Sequence, residues 1–252
     1  MADIKIIVAA HKEYKMPEGD MYLPVHVGAA LSDKDFGYQR DDQGDNISVK
    51  NRSFCELTGI YWAWKNLDAD YVGLVHYRRL FGRKNGILQR DEAERLLEKS
   101  GVVVPALRKY YIENLYSHYV NTLHAGPLDK TYEIIAQKYP EYMPEMDALK
   151  KRTSAHMFNM FIMKKEYFDR YCEWMFDVLF ELEKNVDDNE FDAFHSRFYG
   201  RISELMLDVW LRTNKIEAAE CPFVYTEKVN WFKKIRSFLM AKFFKKKYDK
   251  SF

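Results

Sequence analysis

The sequence has few cysteines and no long apolar run, and each absence excludes a class of protein. Three of its 252 residues are cysteine (Cys55, Cys172 and Cys221), and no two have the C-x-x-C spacing. This argues against a disulfide framework or a zinc site and for reduced thiols in a cytosolic compartment. No apolar stretch approaches the roughly 20 residues needed to cross a bilayer. No signal-peptide pattern precedes the first strand, so we expect a cytoplasmic protein.

The chain also lacks a large net charge, an internal repeat and a low-complexity tract. Its formal charge of +1 argues against a generic nucleic-acid binder. Hydrophobic residues make up 47%, which is enough for a substantial core, and the length predicts one large domain or a domain with an appendage. Aromatic residues reach 16%, a content that suits carbohydrate or base stacking as well as core packing.

The most informative segment is an apolar run that ends abruptly in basic residues. Residues 71–75 predict a buried strand, and His76, Tyr77, Arg78 and Arg79 follow directly. Ligands of open α/β sheets lie at the carboxyl ends of the strands, and forked arginine donors suit a phosphate or diphosphate. We expect His76 and Arg78 to share a face and converge on one ligand, with Arg79 directed away. The alternative is a basic surface cluster without a ligand.

The same logic applies to the first strand and to the chain as a whole. Residues 4–10 predict a central parallel strand, with His11 and Lys12 at its carboxyl end. Strand and helix patterns then alternate, which implies an α/β fold with a mostly parallel sheet. The further strands are predicted at 101–105, 157–163 and 216–224. The helices are predicted at about 51–66, 90–99, 128–138, 144–152, 168–183 and 202–212, and the remainder of 11–48 and 108–151 is predicted to be irregular.

Two groups of acids are candidates for binding a cation. Asp41, Asp42, Asp45 and Asn46 form an acidic loop that contacts a ribose, a base or a cation, or is simply a solvated turn. The second group, at 68–70, has an acid-x-acid shape but precedes its strand, where a turn is expected. Without an acid pair after the strand, arginines have to neutralise a leaving diphosphate, and we expect no metal.

The candidates for the acceptor side lie in the second half of the chain. His156 and Asn159 flank the predicted strand at 157–163 and either contact an acceptor hydroxyl or are satisfied edge residues. Arg201 and Glu204 lie near the start of a predicted helix. Glu204 is a candidate general base for a sugar hydroxyl, or an acid that the helix dipole favours.

The last segment differs in charge from the rest. From Lys228 onward the net charge is about +8, which leaves about −7 for the remainder. Aromatic and aliphatic residues fall between the lysines at helical spacing. This pattern is typical of a basic amphipathic helix on an anionic membrane, and the alternative is a terminal helix whose aromatics pack on the core. We therefore divide the chain into a domain at 1–227 and a membrane-associating tail at 228–252.

Several blocks resemble a bacterial glycosyltransferase family of capsule, exopolysaccharide and O-antigen synthesis that long carried an unknown-function label. The resemblance covers about residues 4–225. The blocks are Gly44-Asp-Asn-Ile-Ser48, Lys50-Asn51, Phe54-Cys-Glu-Leu-Thr-Gly-Ile-Tyr-Trp-Ala-Trp-Lys65, Val72-Gly-Leu-Val-His-Tyr-Arg-Arg79, His156-Met-Phe-Asn-Met-Phe-Ile-Met163 and Arg201-Ile-Ser-Glu-Leu205.

The resemblance implies a GT-A-like fold, with a nucleotide-binding half and an acceptor-binding half. Some members are linked to galactofuranose transfer, which implies a UDP-galactose-type donor. The His-Tyr-Arg-Arg block stands where a metal-binding acid pair would be, so Mn²⁺ or Mg²⁺ is not expected to be required. The expected roles are nucleotide binding by His11, Lys12, Asp45, Asn46, Lys50, Asn51 and Arg79, diphosphate stabilisation by His76 and Arg78, deprotonation by Glu204, and acceptor binding by His156, Asn159 and Arg201.

The function expected from the sequence is therefore transfer of a sugar from a UDP-sugar to a lipid-linked glycan. The enzyme would act as a peripheral protein on the inner face of the cell membrane. One alternative is a sugar-phosphate transferase that uses the same donors and releases UMP instead of UDP. The other is a non-catalytic membrane-bound scaffold of a polysaccharide assembly complex.

Overall fold

The computed structural model describes residues 2–228, 230–244 and 247. The strands are β1 (Ile4–Ala10), β2 (Tyr22–His26), β3 (Gln39–Arg40), β4 (Tyr71–His76), β5 (Arg79–Arg83), β6 (Gly86–Ile87), β7 (Val102–Pro105), β8 (Arg108–Lys109), β9 (Ser154–Ala155), β10 (Phe161–Lys164), β11 (Ala219–Cys221) and β12 (Phe223–Tyr225). The α-helices are α1 (Asn51–Phe54), α2 (Leu57–Asn66), α3 (Arg90–Ser100), α4 (Leu115–Thr122), α5 (Ala125–Lys138), α6 (Met143–Ala148), α7 (Lys165–Asn185), α8 (Phe198–Thr213) and α9 (Trp231–Phe244).

The central sheet is mostly parallel, as the alternation of strands and helices predicted. Its strand order is β11-β7-β10-β4-β1-β2-β3. Strands β3, β2, β1 and β4 run parallel, and β11 runs parallel to β7. β10 is antiparallel to both of its neighbours. β1 and β4 lie in the middle of the sheet and are buried on both faces, which is why they read as continuous apolar runs.

The register of these parallel strands brings three polar chain segments to one edge. Ala9 pairs with His76 across β1 and β4, and Ala10 pairs with His26 across β1 and β2. His11 and Lys12 follow at the same edge. The carboxyl ends of β1, β2 and β4 therefore lie side by side, at the edge where open parallel sheets bind their ligands.

Two predicted elements are interrupted by backbone that no regular element adopts. The helix expected over 51–66 is two helices, α1 and α2, because Cys55 between them has a φ of 53°. The strand expected over 157–163 begins only at Phe161, because Phe158 and Asn159 have φ values of 77° and 54°. Both interruptions lie next to the candidate site described below.

Other elements escaped the sequence patterns because they are short or only partly apolar. β2 and β3 lie in the stretch predicted to be irregular at 11–48, and α4 lies in the one predicted at 108–151. β5 and β6 form a hairpin after β4, and β12 pairs with β5. All three cysteines are free and buried, as their spacing predicted.

The basic C-terminal segment forms helix α9 and packs on α4. Ala241 is buried, the Phe238 ring lies 5.6 Å from the His118 ring, and Lys242 donates to the carbonyl of Ile112. Phe243 stays exposed. The alternative of a docked terminal helix therefore applies to one face of α9, and the rest of the predicted tail (229, 245, 246 and 248–252) lies outside the described residues. Within the described ranges, no helix is long and apolar enough to cross a membrane.

Candidate active site at the carboxyl edge of the sheet

Five side chains at the ends of β1 and β4 and before α8 form a basic group, which we call the basic edge: His11, Lys12, Tyr77, Arg78 and Arg197. The Tyr77 ring is at its centre. It lies 5.5 Å from the His11 ring, and 5.2 Å from both the Lys12 Nζ and the Arg78 Cζ. The Tyr77 hydroxyl is buried and has no hydrogen-bond partner in the described part of the chain. His11, Lys12 and Arg78 thus lie around one ring. His76, which was expected to converge with Arg78 on one ligand, instead contacts the Phe158 carbonyl (2.6 Å), because the chain turns directly after β4.

A carboxylate from the far end of the chain lies between two of these cations. Glu227 is 3.0 Å from the Arg78 Nε and 3.6 Å from the Lys12 Nζ. Thr226 holds this segment in place, because its N–H donates to the Arg78 carbonyl (3.1 Å) and its hydroxyl to the Tyr77 carbonyl (2.8 Å). Lys12 and Arg78 together therefore bind an anionic group in this geometry.

The cations of the basic edge lie close enough to His11 to lower its pKa. Desolvation lowers the pKa of this imidazole, and the charges of Arg78, Arg197 and Lys12 lower it further. His11 is therefore neutral at pH 7 and available as a hydrogen-bond partner rather than as a charge. Arg197 was not assigned to the site from the sequence; its Nε donates to the Cys55 thiol (3.0 Å), at the break between α1 and α2.

A second group, the reaction-centre group, consists of Glu56, His76 and Asn159. The His76 Nε2 lies 2.6 Å from the Phe158 carbonyl, and because a carbonyl only accepts, that nitrogen carries the proton. The Asn159 amide donates to Glu56 (2.8 Å). Burial raises the pKa of Glu56, but the charge of His76 and the hydrogen bond from Asn159 outweigh it, so the pKa lies below its usual range. Glu56, which the sequence left unassigned, is an ionised carboxylate beside His76.

Glu204 contacts the loop that carries Asn159. Its Oε2 accepts from the Phe158 N–H (3.1 Å) and its Oε1 from Arg201 (3.3 Å), and the residue is only 6% exposed. Positive φ values at the consecutive residues Phe158 and Asn159 are strained and persist only where the surroundings hold them. The described contacts of Glu204 are those of a residue that holds this loop.

His156 lies between two carboxylates. Its Nδ1 is 2.5 Å from the buried carboxylate of Asp208 and its Nε2 is 3.5 Å from Glu220. Burial lowers the pKa of His156, but the hydrogen bonds and charges of Asp208 and Glu220 outweigh it, so the pKa lies above the ordinary value. From the sequence, His156 was a candidate for acceptor binding or a satisfied edge residue. Its described contacts anchor it to α8 and β11.

This arrangement predicts a pH-dependent stability. His156 gains a raised pKa on folding, so its contribution is complete below the unfolded value of about 6.5 and is lost as the pH rises through the folded value. In the wild type, the free energy of unfolding should therefore fall as the pH rises through this range. We expect His156→Gln and Asp208→Asn each to remove the part of that fall that comes from His156. Urea unfolding from about pH 5 to about pH 9 measures it. Wild-type and variant profiles that run parallel would contradict the assignment.

Four residues predicted to hold the nucleotide have partners elsewhere. Lys50 pairs with Glu183 on α7 (2.5 Å), and Asn51 donates to the hydroxyl of Thr58 on α2 (2.9 Å). The Asp45 main chain bonds with the Asn66 side chain, and Asn46 donates to the carbonyls of residues 42 and 44. These bonds shape the loop between β3 and α1, and none of the described hydrogen bonds or ion pairs joins these four residues to the basic edge.

Asp41 in the same loop is fully buried, so the solvated turn expected there is wrong for this residue. Its carboxylate accepts from the N–H groups of Gly28 and Ala29 and from the hydroxyls of Ser48 (2.5 Å) and Thr58 (2.6 Å). With four donors on one carboxylate, Asp41 ties the end of β2 to α2. It contributes to the shape of the carboxyl edge of the sheet rather than to a surface cation site.

The residues at the end of β4 do not provide a set of metal ligands. The acid pair Asp68 and Asp70 precedes the strand, and Asp70 accepts from the Asp3 N–H at the opposite edge of the sheet (2.8 Å). The carboxyl edge instead carries His76, Arg78 and the cations around them. In the described residues, no group of three or more His, Cys, Asp or Glu side chains is arranged to hold a metal ion.

The sheet order, the reversed β10 and the polar groups at the carboxyl ends define a GT-A-like α/β fold. The structure superimposes on that of WbbM, a bifunctional glycosyltransferase in its apo form, with a TM-score of 0.83 and 28% identity over 90% of this chain. The match covers 46% of the WbbM chain, so this protein spans just under half of that enzyme.

Residues 5–215 match the family described as Domain of unknown function (DUF4422), and the chain belongs to this family. Among curated proteins, none is significantly similar to the chain. The similarity to WbbM thus confirms the GT-A-like fold that the sequence blocks implied. It also confirms that the chain is related to glycosyltransferases.

Proposed function

We propose that the protein transfers a sugar from a nucleotide-diphosphate sugar, with a UDP-galactose or UDP-galactofuranose type of donor as the leading candidate. The observation that carries this proposal is the carboxylate of Glu227 between Lys12 and Arg78. An anion is already bound there, at the edge where parallel sheets bind phosphates. A diphosphate would replace the carboxylate and gain the unpartnered hydroxyl of Tyr77.

The reaction follows from the order of groups along the edge. The acceptor hydroxyl attacks the anomeric carbon of the donor sugar, the bond from that carbon to the β-phosphate oxygen breaks, and its electron pair leaves with UDP. Lys12 and Arg78 stabilise the charge that develops on the diphosphate. His76 donates a hydrogen bond from Nε2 to the Phe158 carbonyl, so it positions the loop beside the sugar rather than acting as an acid.

We assign the deprotonation of the acceptor hydroxyl to Glu56 and a positioning role to Glu204. A base has to touch the hydroxyl it deprotonates. Glu56 is half-buried, and its described bond is to Asn159 alone, whereas both oxygens of the buried Glu204 accept from Phe158 and Arg201. The lowered pKa keeps Glu56 ionised at physiological pH.

The experiment that tests the proposal is calorimetric titration with UDP, UMP and uridine. We expect UDP to bind at least about tenfold more tightly than UMP, because the second phosphate adds charge-assisted bonds to Lys12 and Arg78. EDTA is expected to leave both binding and transfer unchanged, since the edge neutralises the diphosphate with cations. Equal affinity for UDP and uridine would overturn the donor site. Loss of transfer with EDTA and recovery with Mn²⁺ would overturn metal independence.

We further propose that α9 and a neighbouring loop hold the enzyme on an anionic membrane at the inner face of the cell membrane, where a lipid-linked acceptor lies. Leu239 and Phe243 of α9 are exposed, and so are Tyr111 and Ile112, whose segment Lys242 joins to the helix. Exposed apolar groups beside lysines suit an interfacial helix, and each lysine contributes about 1 kcal/mol near an anionic surface.

Paired replacement of Leu239 and Phe243 by serine tests this proposal without removing the helix. We expect the double variant to lose most co-sedimentation with anionic liposomes, while its activity on a water-soluble acceptor stays at the wild-type level. Leu31→Ser is the control, because Leu31 is also an exposed apolar residue but belongs neither to α9 nor to the segment with Tyr111 and Ile112. High salt should weaken wild-type binding because it screens the lysines. If the double variant sediments like the wild type, α9 is only a docked helix.

A further inference from the structure

Two arginines lie against one aromatic ring next to the reaction-centre group, that of Phe158. The Arg79 Cζ is 4.4 Å from the centre of the Phe158 ring, and the Arg108 Cζ is 5.5 Å from it. Tyr225 and Tyr110 add a second ring to each guanidinium, at 5.4 and 5.0 Å. Arg79 was expected from the sequence to point away from His76 and Arg78 and also to help bind the nucleotide. Its described contacts are with Phe158 and Tyr225, not with the basic edge.

Among the residues that the structure describes, no carboxylate forms an ion pair with Arg79 or Arg108. The other half-buried arginines each have a carboxylate partner or donate to a polar atom. The Arg79 Nε is buried and has no hydrogen-bond partner in the described part of the chain. Both side chains are half-buried. A desolvated cation is costly unless an anion or hydrogen-bond acceptors compensate it.

The aromatic rings compensate only part of that cost. A cation–π contact is electrostatic and uses no hydrogen bond, so the guanidinium donors of both residues remain available. Two forked donors beside one ring match an anion with several oxygens, such as a phosphate. The ring itself is held in its strained position by the bonds of Phe158 to His76 and Glu204.

We propose that Arg79 and Arg108 bind an anionic group of the acceptor, and that this group is a phosphate. The inference rests on the proposed function, because it takes Glu56 and His76 as the place where the acceptor hydroxyl reacts. Phe158 joins the two places: its carbonyl contacts His76 and its ring contacts both arginines. The donor diphosphate has its own cations, Lys12 and Arg78, which lie against Tyr77 and Glu227.

Because Phe158 alone connects the place of reaction to the two arginines, the acceptor between them has to be short. A hydroxyl at Glu56 and a phosphate at Arg79 and Arg108 belong to a molecule with few sugars between them. The enzyme therefore acts early in glycan assembly, directly after a reaction that attaches a sugar phosphate to a carrier. A long glycan would place its phosphate far from this pair of arginines.

Binding measurements with the donor site already filled test the proposal. The probe is glucose 1-phosphate, titrated in the presence of saturating UDP, with methyl glucoside and the methyl glycoside of glucuronic acid as comparisons. We expect glucose 1-phosphate to bind and methyl glucoside to bind at least about tenfold more weakly. Arg108→Gln should weaken the binding of glucose 1-phosphate about tenfold and leave the affinity for UDP unchanged. Lys109→Gln removes the same charge from the other face of β8 and should change neither.

Each outcome decides a separate point. Equal binding of glucose 1-phosphate to wild type and Arg108→Gln, with UDP bound, overturns the acceptor site and leaves the donor site standing. Tighter binding of the glucuronide than of glucose 1-phosphate overturns the choice of phosphate in favour of an acidic sugar. If UDP itself does not bind, the proposed function fails, and titration of glucose 1-phosphate alone still shows whether the two arginines bind an anion. Unchanged UDP affinity also shows that Arg108→Gln is folded.

Discussion

Arg78→Ala is expected to lower the rate of sugar transfer by roughly 10²–10³-fold, the loss that follows removal of one electrostatic donor from a reacting group. Arg78 is exposed at the end of β4, and its described ion pair is with Glu227. A side chain with so little packing can be truncated at small cost in stability, so the loss would fall on the transition state. We expect kcat to fall more than the affinity for UDP, since charge on the diphosphate grows as the bond to the sugar breaks.

Initial-rate kinetics with Arg78→Ala, Arg78→Lys and a control arginine measure this effect. Arg78→Lys keeps the charge but loses the forked donors, so it should recover only part of the rate. Arg95→Ala is the control, because Arg95 is an exposed arginine whose ion pair is with Asp91, four residues earlier on α3. Near-wild-type turnover of Arg78→Ala would remove the basic edge from the mechanism.

Glu56→Gln is expected to lower kcat by roughly 10²–10⁴-fold, the usual contribution of a positioned general base. The substitution preserves the acceptor oxygen for Asn159 and removes the negative charge. The rate should be flat above the ordinary pKa of a glutamate, about 4.3, because the pKa of Glu56 is lowered and the carboxylate stays ionised. The acid limb of the pH profile should disappear in the variant.

Glu204→Gln distinguishes the proposed role of Glu204 from that of Glu56. It keeps an oxygen for the Phe158 N–H but weakens the charged contact with Arg201. A positioning residue should then raise the KM of the acceptor or loosen the loop, while the pH profile keeps the wild-type shape. The reverse result, with the pH-dependent limb lost in Glu204→Gln and retained in Glu56→Gln, would return the base role to Glu204.

The position of Glu227 links donor binding to the C-terminal segment. Its carboxylate occupies the place between Lys12 and Arg78 that the proposed diphosphate needs, and the next residues lead into α9. Displacement of Glu227 by the donor would therefore release one contact of the chain that precedes this helix. The segment stays attached through Thr226 and the pairing of β12 with β5.

Much of the fold was readable from local patterns. β1 and β4 are buried on both faces, so each is an unbroken apolar run with polar residues at its carboxyl end, and both predicted strands agree with the structure nearly residue for residue. α3 and α8 also lie where the helical spacing predicted. β10 was predicted too long, since an apolar run does not show that Phe158 and Asn159 adopt left-handed backbone.

The candidate site divides in the same way. The sequence by itself determined that His11, Lys12, His76 and Arg78 follow buried parallel strands, because an abrupt change from apolar to basic residues is a local signal. Only the tertiary structure brought Glu56 to Asn159 across 103 residues and Thr226 to Tyr77 across 149. It also decided the partners of two arginines, by placing Arg79 against Phe158 and Arg78 against Glu227. Such pairings depend on how helices and loops pack over the sheet, and no periodicity within a segment encodes which distant residue will meet it.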